Sequence, residues 1–244
     1  TVKASMGCCR LGNRRSACVA SKLASIGIKP EDRVILCAKN HPDWPIAYFG
    51  ALRAGATAVP VDADIDASAL ANIIRASGAN VMLDDGAVDM PADAKITRVN
   101  LHEIAADEPD LTAPEVEITD NMIASLIYTS GTTGRSKGCI TTHTGTIQQV
   151  SEILFASIAA GRLKGAPAQP PSKSAPSALV SSPLFHVGGF HSGICTQLTI
   201  GSKIVFLDGK FDPKKVMQVI QDEQIVSWPA IPTMLHRVVH HERV

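Results

Sequence analysis

Short apolar blocks along the chain alternate between the spacing of a helix and that of a strand. From Ala17 the apolar residues fall at helical intervals, and the continuous apolar run 34–38 follows. A second helical stripe precedes the run 57–61, and a third precedes the runs 80–84 and 95–100. Helices that alternate with strands in this way predict an α/β fold of stacked, mostly parallel sheets flanked by helices.

The pattern resumes after an acidic, proline-bearing stretch. Strands are predicted at 122–128 and 138–142, followed by an amphipathic helix and then further strands and helices. The sequence therefore predicts four parts, which are an irregular segment 1–16, a first α/β subdomain 17–106, an acidic linker 107–120 and a second α/β part 121–244.

Composition limits the classes of function. Of the 244 residues, 23 are basic and 23 acidic, so the net charge is zero and no overall field attracts nucleic acid or an anionic membrane. Any anion site must be local. The six cysteines have no metal-like spacing, and no signal peptide or membrane-spanning run is visible. These features predict a cytoplasmic protein with reduced thiols, although the even number of cysteines still permits disulfides.

The residues best suited to chemistry form the string YTSGTTGRSKG, residues 128–138, between two predicted strands. Its glycines allow backbone N–H groups to turn toward an anion, its hydroxyls add donors and its lysine adds a mobile positive charge. The predicted phosphate-binding residues are Thr129, Ser130, Gly131, Thr132, Thr133, Gly134 and Lys137.

A Walker loop is the obvious rival for this string. The Walker pattern requires glycine where Ser136 stands and a hydroxyl residue where Gly138 stands. It also opens directly into a helix, whereas the residues after Lys137 are predicted to form a strand. The sequence therefore disfavours a Walker loop.

The string resembles the signature phosphate loop of the adenylate-forming superfamily of AMP-binding enzymes, which includes acyl-CoA synthetases, luciferases and peptide adenylation domains. Arg135 and Ser136 occupy positions where the family varies. A second string, PLFHVGG at 183–189, resembles the acyl-CoA synthetase form of its motif, and the order of the other segments agrees. The chain thus looks like the N-terminal part of an acyl-CoA synthetase of the fatty-acid-CoA ligase type.

The resemblance implies a two-step reaction that uses ATP, Mg²⁺ and CoA. A fatty or aromatic carboxylic acid would form an acyl-adenylate, and CoA would then take the acyl group. Lys137 and His186 are the expected catalytic residues, with Lys137 on the phosphates and His186 near the carboxylate, the adenylate or the thiol channel. No metal ligands are assigned, because the pairs His236/His240 and His186/His191 lack a third ligand of suitable type.

The family's later elements, including the ribose-binding aspartate and the C-terminal domain with its lysine, have no counterpart in the sequence. The chain is therefore expected to be a fragment that is weak or inactive alone. Two other classes remain open, a truncated non-catalytic module that binds a nucleotide or partner, and a nucleotide hydrolase. The hydrolase predicts ATP turnover without an acid, whereas the module predicts neither turnover nor exchange. The oligomeric state is open.

Overall fold

The structure is a computed structural model that describes residues 2–6, 9–106, 108, 113–129, 137–165, 175–207 and 209–241. The chain forms two compact units. One is Arg10–Thr146, and the other combines Thr1–Cys9 with Ile147–Val244. Within the described residues, every helix is too short or too polar to cross a membrane.

In these residues the strands are β1 (Val2–Met6), β2 (Arg33–Cys37), β3 (Thr57–Val61), β4 (Val81–Asp84), β5 (Thr97–Asn100), β6 (Ile123–Thr129), β7 (Lys137–Thr142), β8 (Ser177–Val180), β9 (Lys203–Leu207) and β10 (Ile225–Ser227). The α-helices are α1 (Cys9–Ser25), α2 (Asp43–Arg53), α3 (Ala67–Ser77), α4 (Leu101–Ile104), α5 (His143–Leu163), α6 (Thr196–Thr199), α7 (Pro213–Asp222) and α8 (Pro232–Val239). A π-helix, Gly188–Cys195, precedes α6.

The unit Arg10–Thr146 contains a six-stranded sheet in the order β5-β4-β2-β3-β6-β7. All neighbouring pairs are parallel except β6 and β7, which are antiparallel. Every residue of β3 and β4 is buried, because helices cover the parallel strands. The predicted α/β class is confirmed.

Local sequence signals explain the bounds of α3. The side chain of Asp66 accepts a hydrogen bond from the backbone N–H of Ala69 at 2.9 Å, which caps the first turn. At the other end Gly78 adopts a left-handed conformation with φ of 67°, a geometry that glycine takes without strain. Leu70 and Ile73 face the core of this unit, so the helix packs on the sheet by its apolar stripe.

The second unit is built on a four-stranded sheet in the order β1-β9-β8-β10. β8 runs parallel to β9 and β10, and β1 runs antiparallel to β9. Its core cluster joins β8 and β9 to α7 through the buried residues Leu179, Val205, Leu207, Val216 and Val219. As predicted, α7 begins with Asp212 as its cap and Pro213 at its first position.

Two features differ from the four parts proposed from the sequence. Within the segment 1–16, β1 forms and α1 already begins at Cys9. Within α1, the backbone O of Asn13 accepts a hydrogen bond from Arg53 of α2 at 3.0 Å. The strands before and after the stretch 107–120 belong to the same six-stranded sheet, because β6 pairs with β3. The stretch therefore does not separate two sheets. The division between the units falls within α5.

Candidate functional site

The predicted phosphate loop connects β6 to β7. The two strands pair in a register that ends with Thr129 opposite Lys137, so the structure brings these two predicted residues together at the mouth of the loop. Five other predicted residues lie outside the described part of the chain, namely Ser130, Gly131, Thr132, Thr133 and Gly134.

The mouth of the loop lies at the carboxyl edge of the parallel strands. β6 runs parallel to β3, so Thr129 ends β6 at the same edge where Val61 ends β3. Open α/β sheets bind their ligands at this edge. Thr129 and Lys137 are both exposed there, and their hydroxyl and ammonium groups are suitable donors for a phosphate group. These two residues fit the nucleotide that the sequence implies.

Lys137 is the first residue of β7, which runs antiparallel beside β6. The strand predicted after the lysine is therefore confirmed. A Walker loop would continue into a helix at this point, and its helix N-terminus would contact the phosphates. The hairpin geometry supports the exclusion of a Walker loop that the sequence indicated.

Gly138 lets β7 pass close to side chains of β6. A Cβ atom at this position would lie 2.7 Å from Cδ1 of Leu126 and 3.4 Å from Cζ of Tyr128. A larger residue would therefore have to displace the Leu126 side chain. Burial of Tyr128 beside this glycine raises the pKa of its phenol above the usual range. The strand that carries Lys137 is thus fixed by packing immediately beside the lysine.

His186 belongs to the other unit, in the turn that follows β8. Its backbone N–H donates to the Pro183 carbonyl at 3.3 Å, and its own carbonyl accepts from Phe190 at 2.9 Å. The turn is tight, because a Cβ atom at Gly189 would lie only 2.0 Å from the Pro183 carbonyl oxygen. His186 is exposed, and its ring centroid lies 4.3 Å from that of Phe185. The predicted position after the carboxyl end of a parallel strand is confirmed.

His191, in the π-helix, has different surroundings from His186. Its imidazole is buried, its Nδ1 lies 2.5 Å from Oε1 of Gln149, and burial lowers its pKa. The predicted helix around this residue exists, but its first eight residues form a π-helix rather than an α-helix. Its wider turn was not predictable from apolar spacing.

The sequence analysis missed one cluster of side chains. Asp43 contacts His41, His102 and Arg15, and the two histidines and the aspartate are the group within the described residues that could ligate a metal. The close spacing of His41 and Asp43 was the one local signal, whereas His102 lies 59 residues beyond Asp43. Imidazole-rich sites do not favour Mg²⁺, so this cluster is not assigned to the magnesium that accompanies ATP.

Comparisons with known proteins agree with this geometry. The family model described as AMP-binding enzyme matches residues 11–244. Feruloyl-CoA synthase from an Amycolatopsis species is 29% identical over 237 residues, which cover 95% of this chain and 45% of that protein. The chain therefore spans less than half the length of this relative.

Two solved structures have the same fold. The N-terminal domain of FACL13 from Mycobacterium tuberculosis superposes with a TM-score of 0.78 at 24% identity, covering 96% of this chain and 58% of that one. The o-succinylbenzoate CoA synthetase MenE from Bacillus subtilis, in complex with ATP and magnesium ion, gives a TM-score of 0.73 at 19% identity, covering 94% and 58%. With the family match over nearly its whole length, the chain belongs to the AMP-binding enzyme family.

Proposed function

We propose that the protein containing this chain uses ATP to activate a carboxylic acid and then transfers the acyl group to CoA. The observation that carries the proposal is the β6–β7 hairpin, which holds Thr129 and Lys137 at the carboxyl edge of the sheet in a chain of the AMP-binding family. The similarity to feruloyl-CoA synthase supports thioester formation as the second step.

In the proposed first step, a carboxylate oxygen of the acid attacks the α-phosphorus of ATP. The bond from that phosphorus to the bridging oxygen of the β-phosphate breaks, and pyrophosphate leaves with the electron pair. The product is an acyl-adenylate, a mixed anhydride with an activated carbonyl carbon. In the second step the thiol sulfur of CoA attacks that carbon, the thiol proton passes to a base, and AMP leaves.

Lys137 is proposed to bind the β- and γ-phosphates. Its ammonium group would stabilise the negative charge that develops on pyrophosphate as the bond breaks, and the hydroxyl of Thr129 would donate beside it. The remaining predicted donors of the loop, from Ser130 to Gly134, would complete the cradle. When bound, Mg²⁺ supplies further neutralisation of the phosphate charge.

His186 is proposed to act on the substrate side. An exposed imidazole in a tight turn, held by backbone hydrogen bonds on both sides, can orient toward a carboxylate or accept a proton from a thiol. The constraint at Gly189 fixes the turn, so a substitution of His186 changes the imidazole without loosening the backbone.

The proposed acid is fatty or aromatic. The similarity to feruloyl-CoA synthase makes ferulate and related aromatic acids the first substrates to test, with fatty acids of different lengths as the second series. The nucleotide, the acid and CoA would be the small-molecule partners.

The test is exchange of labelled pyrophosphate into ATP by the protein that contains this chain, with each acid in turn. Lys137→Ala is expected to lower the exchange rate by about 100-fold or more, because it removes a positive charge from the leaving group. Lys29→Ala, which alters an exposed lysine of the same unit, is the matched control and should leave the rate unchanged. A near-normal rate in Lys137→Ala would remove this lysine from the site.

The 244-residue chain alone is proposed to be weak or inactive in this assay, since it spans 45% of the length of feruloyl-CoA synthase. Because the chain spans less than half of that relative, a second function is proposed for the chain by itself, namely nucleotide binding without turnover. Binding of ATP in equilibrium dialysis, with neither exchange nor hydrolysis, would support the binding module. ATP hydrolysis without an acid would instead indicate a nucleotide hydrolase.

A further inference from the structure

His41, Asp43 and His102 bring together three segments of the unit Arg10–Thr146. His41 lies in the loop between β2 and α2, Asp43 is the first residue of α2, and His102 lies in α4. Oδ2 of Asp43 is 2.8 Å from Nδ1 of His102 and 3.1 Å from Nδ1 of His41. One ligand atom from each side chain lies within 4.8 Å of the other two.

Arg15 fixes the orientation of the carboxylate. Its Nη2 donates to Oδ1 of Asp43, and its Nε donates to the backbone carbonyl of Ala105 at 2.7 Å. One carboxylate oxygen is therefore bound by the guanidinium, and the other faces the two imidazoles. Outer contacts of this kind orient metal ligands in proteins.

His41 makes two contacts that require opposite roles of the same ring nitrogen. The backbone N–H of Asp43 donates to Nδ1 of His41 at 3.2 Å, yet the same nitrogen lies 3.1 Å from Oδ2 of Asp43, which can only accept. A neutral imidazole nitrogen either accepts or donates, so it satisfies one of these contacts and not the other. A cation bound to both atoms would take the single lone pair of Nδ1 and remove the contact between two acceptors, in place of the hydrogen bond from the Asp43 N–H.

We propose that His41, Asp43 and His102 form a binding site for a divalent transition-metal ion, with Zn²⁺ as the best match. Two atoms bound tetrahedrally to one zinc ion lie about 3.3 Å apart, given zinc–ligand distances of about 2.0–2.2 Å. The separations of 2.8 and 3.1 Å from Oδ2 are close to that value. Two imidazoles and one carboxylate form a ligand set that zinc accepts, with water in the fourth position.

The exposure of the three side chains indicates how an ion would enter. The side chain of Asp43 is 12% exposed, whereas those of His41 and His102 are 29% and 42% exposed. An ion can thus reach the carboxylate from solvent through the imidazoles. Binding is expected to be weaker than at a closed four-ligand site, because Arg15 partly neutralises Asp43 and water must complete the coordination.

The three proposed ligands are not among the residues assigned to the phosphate loop, so this proposal does not rest on the proposed function. An ion there would join the β2–α2 loop to α4, and it would therefore slow the local opening of these segments. The expected effect is a rise in the thermal midpoint of the chain in the presence of zinc.

The test is a calorimetric titration of the chain with zinc sulfate, combined with amide hydrogen exchange. Zinc is expected to bind at one site in this cluster and to slow exchange at 40–44 and 101–104. His102→Gln removes an exposed ligand and is expected to weaken that binding by more than the about 10- to 100-fold lost with outer-shell partners. His41→Gln, which removes a second ligand, is independently expected to weaken zinc binding.

The matched control is the double variant His236→Gln/His240→Gln. These two histidines lie one helical turn apart, with ring centroids 4.2 Å apart, and could bind zinc by themselves. The double variant is expected to keep the protection at 40–44 and 101–104. The proposal is overturned if adding His102→Gln to the double variant leaves its zinc affinity unchanged. It is also overturned if zinc leaves amide hydrogen exchange at 40–44 and 101–104 unchanged.

Discussion

The two units differ in how completely they bury their large apolar side chains. In the described part of Arg10–Thr146 the exposed ones are Ile26, Ile118 and Ile140. In the other unit they are Ile147, Phe155, Ile158, Leu163, Ile200, Val226, Ile231, Leu235 and Val239. Both units have a buried core between the sheet and its helices. A unit can therefore have a well-buried core and still expose large apolar side chains on its helices.

The difference is concentrated on α5 and α8. Ile147, Phe155 and Ile158 share one face of α5 by helical spacing, and all three are more than 60% exposed. Contiguous exposed apolar surface marks sites of contact with other protein, with a membrane or with a ligand. It is consistent with the proposal that this chain is part of a longer protein, because the relative to which it is similar is more than twice as long.

The largest expected effect contrasts a buried leucine with an exposed one. Leu70→Ala removes a fully buried side chain from the core of Arg10–Thr146 and is expected to lower the free energy of unfolding by about 2–5 kcal/mol. Leu163→Ala makes the same chemical change at a residue that is 89% exposed, and the expected change is within about 0.5 kcal/mol. Urea titrations of both variants measure the contrast. Equal losses would show that Leu163 is covered in solution.

A smaller effect is expected from two adjacent glycines of the second unit. In Gly189→Ala the added methyl would lie 2.0 Å from the Pro183 carbonyl oxygen, and the expected loss is about 1–3 kcal/mol because the turn must open. Gly188→Ala meets nothing within 4 Å and is the matched control, with no expected loss. If both variants unfold at the same urea concentration, the turn that carries His186 is not fixed by close backbone packing.

The smallest expected effect concerns pH. Burial lowers the pKa of His191 in the folded chain below its usual value of about 6.5, so the unfolded chain binds more protons as the pH falls through that value. The contribution of neutral His191 to stability is therefore complete above about pH 6.5 and declines below it. His191→Gln should flatten the change in unfolding free energy between pH 7.5 and 5.5.

His143 contributes a slope of the same sign, since burial also lowers its pKa. The slope remaining in His191→Gln should therefore fall further when His143→Gln is added. An unchanged slope in His191→Gln would mean that the imidazole of residue 191 reaches solvent in the folded chain.

Local signals predicted much of the fold. β3 occupies the predicted run from Thr57 to Val61, and α3 ends at the predicted Gly78. In both cases the determining residues are neighbours in the sequence. The two ends of the phosphate loop were also predicted, because a polar glycine-rich string between two apolar runs is a local pattern.

The features that were missed depend on contacts between distant segments. The pairing of β6 with β3 joins Ala58 to Ser125, and nothing in the composition of the intervening stretch indicates it. The same holds for His102, whose contact with Asp43 forms only when α4 packs beside α2. Periodicity shows which residues are buried, but it does not show which segments become neighbours.

β7 is the outermost strand of its sheet, and its pairing with β6 is complete up to Thr129 and Lys137. Residues inserted between these two positions would lengthen the connection without shifting the register of either strand. The margin of the sheet can thus accept loops of different length and composition while the supporting hairpin stays the same. A change of loop in this hairpin would therefore alter what the edge binds without altering the sheet that supports it.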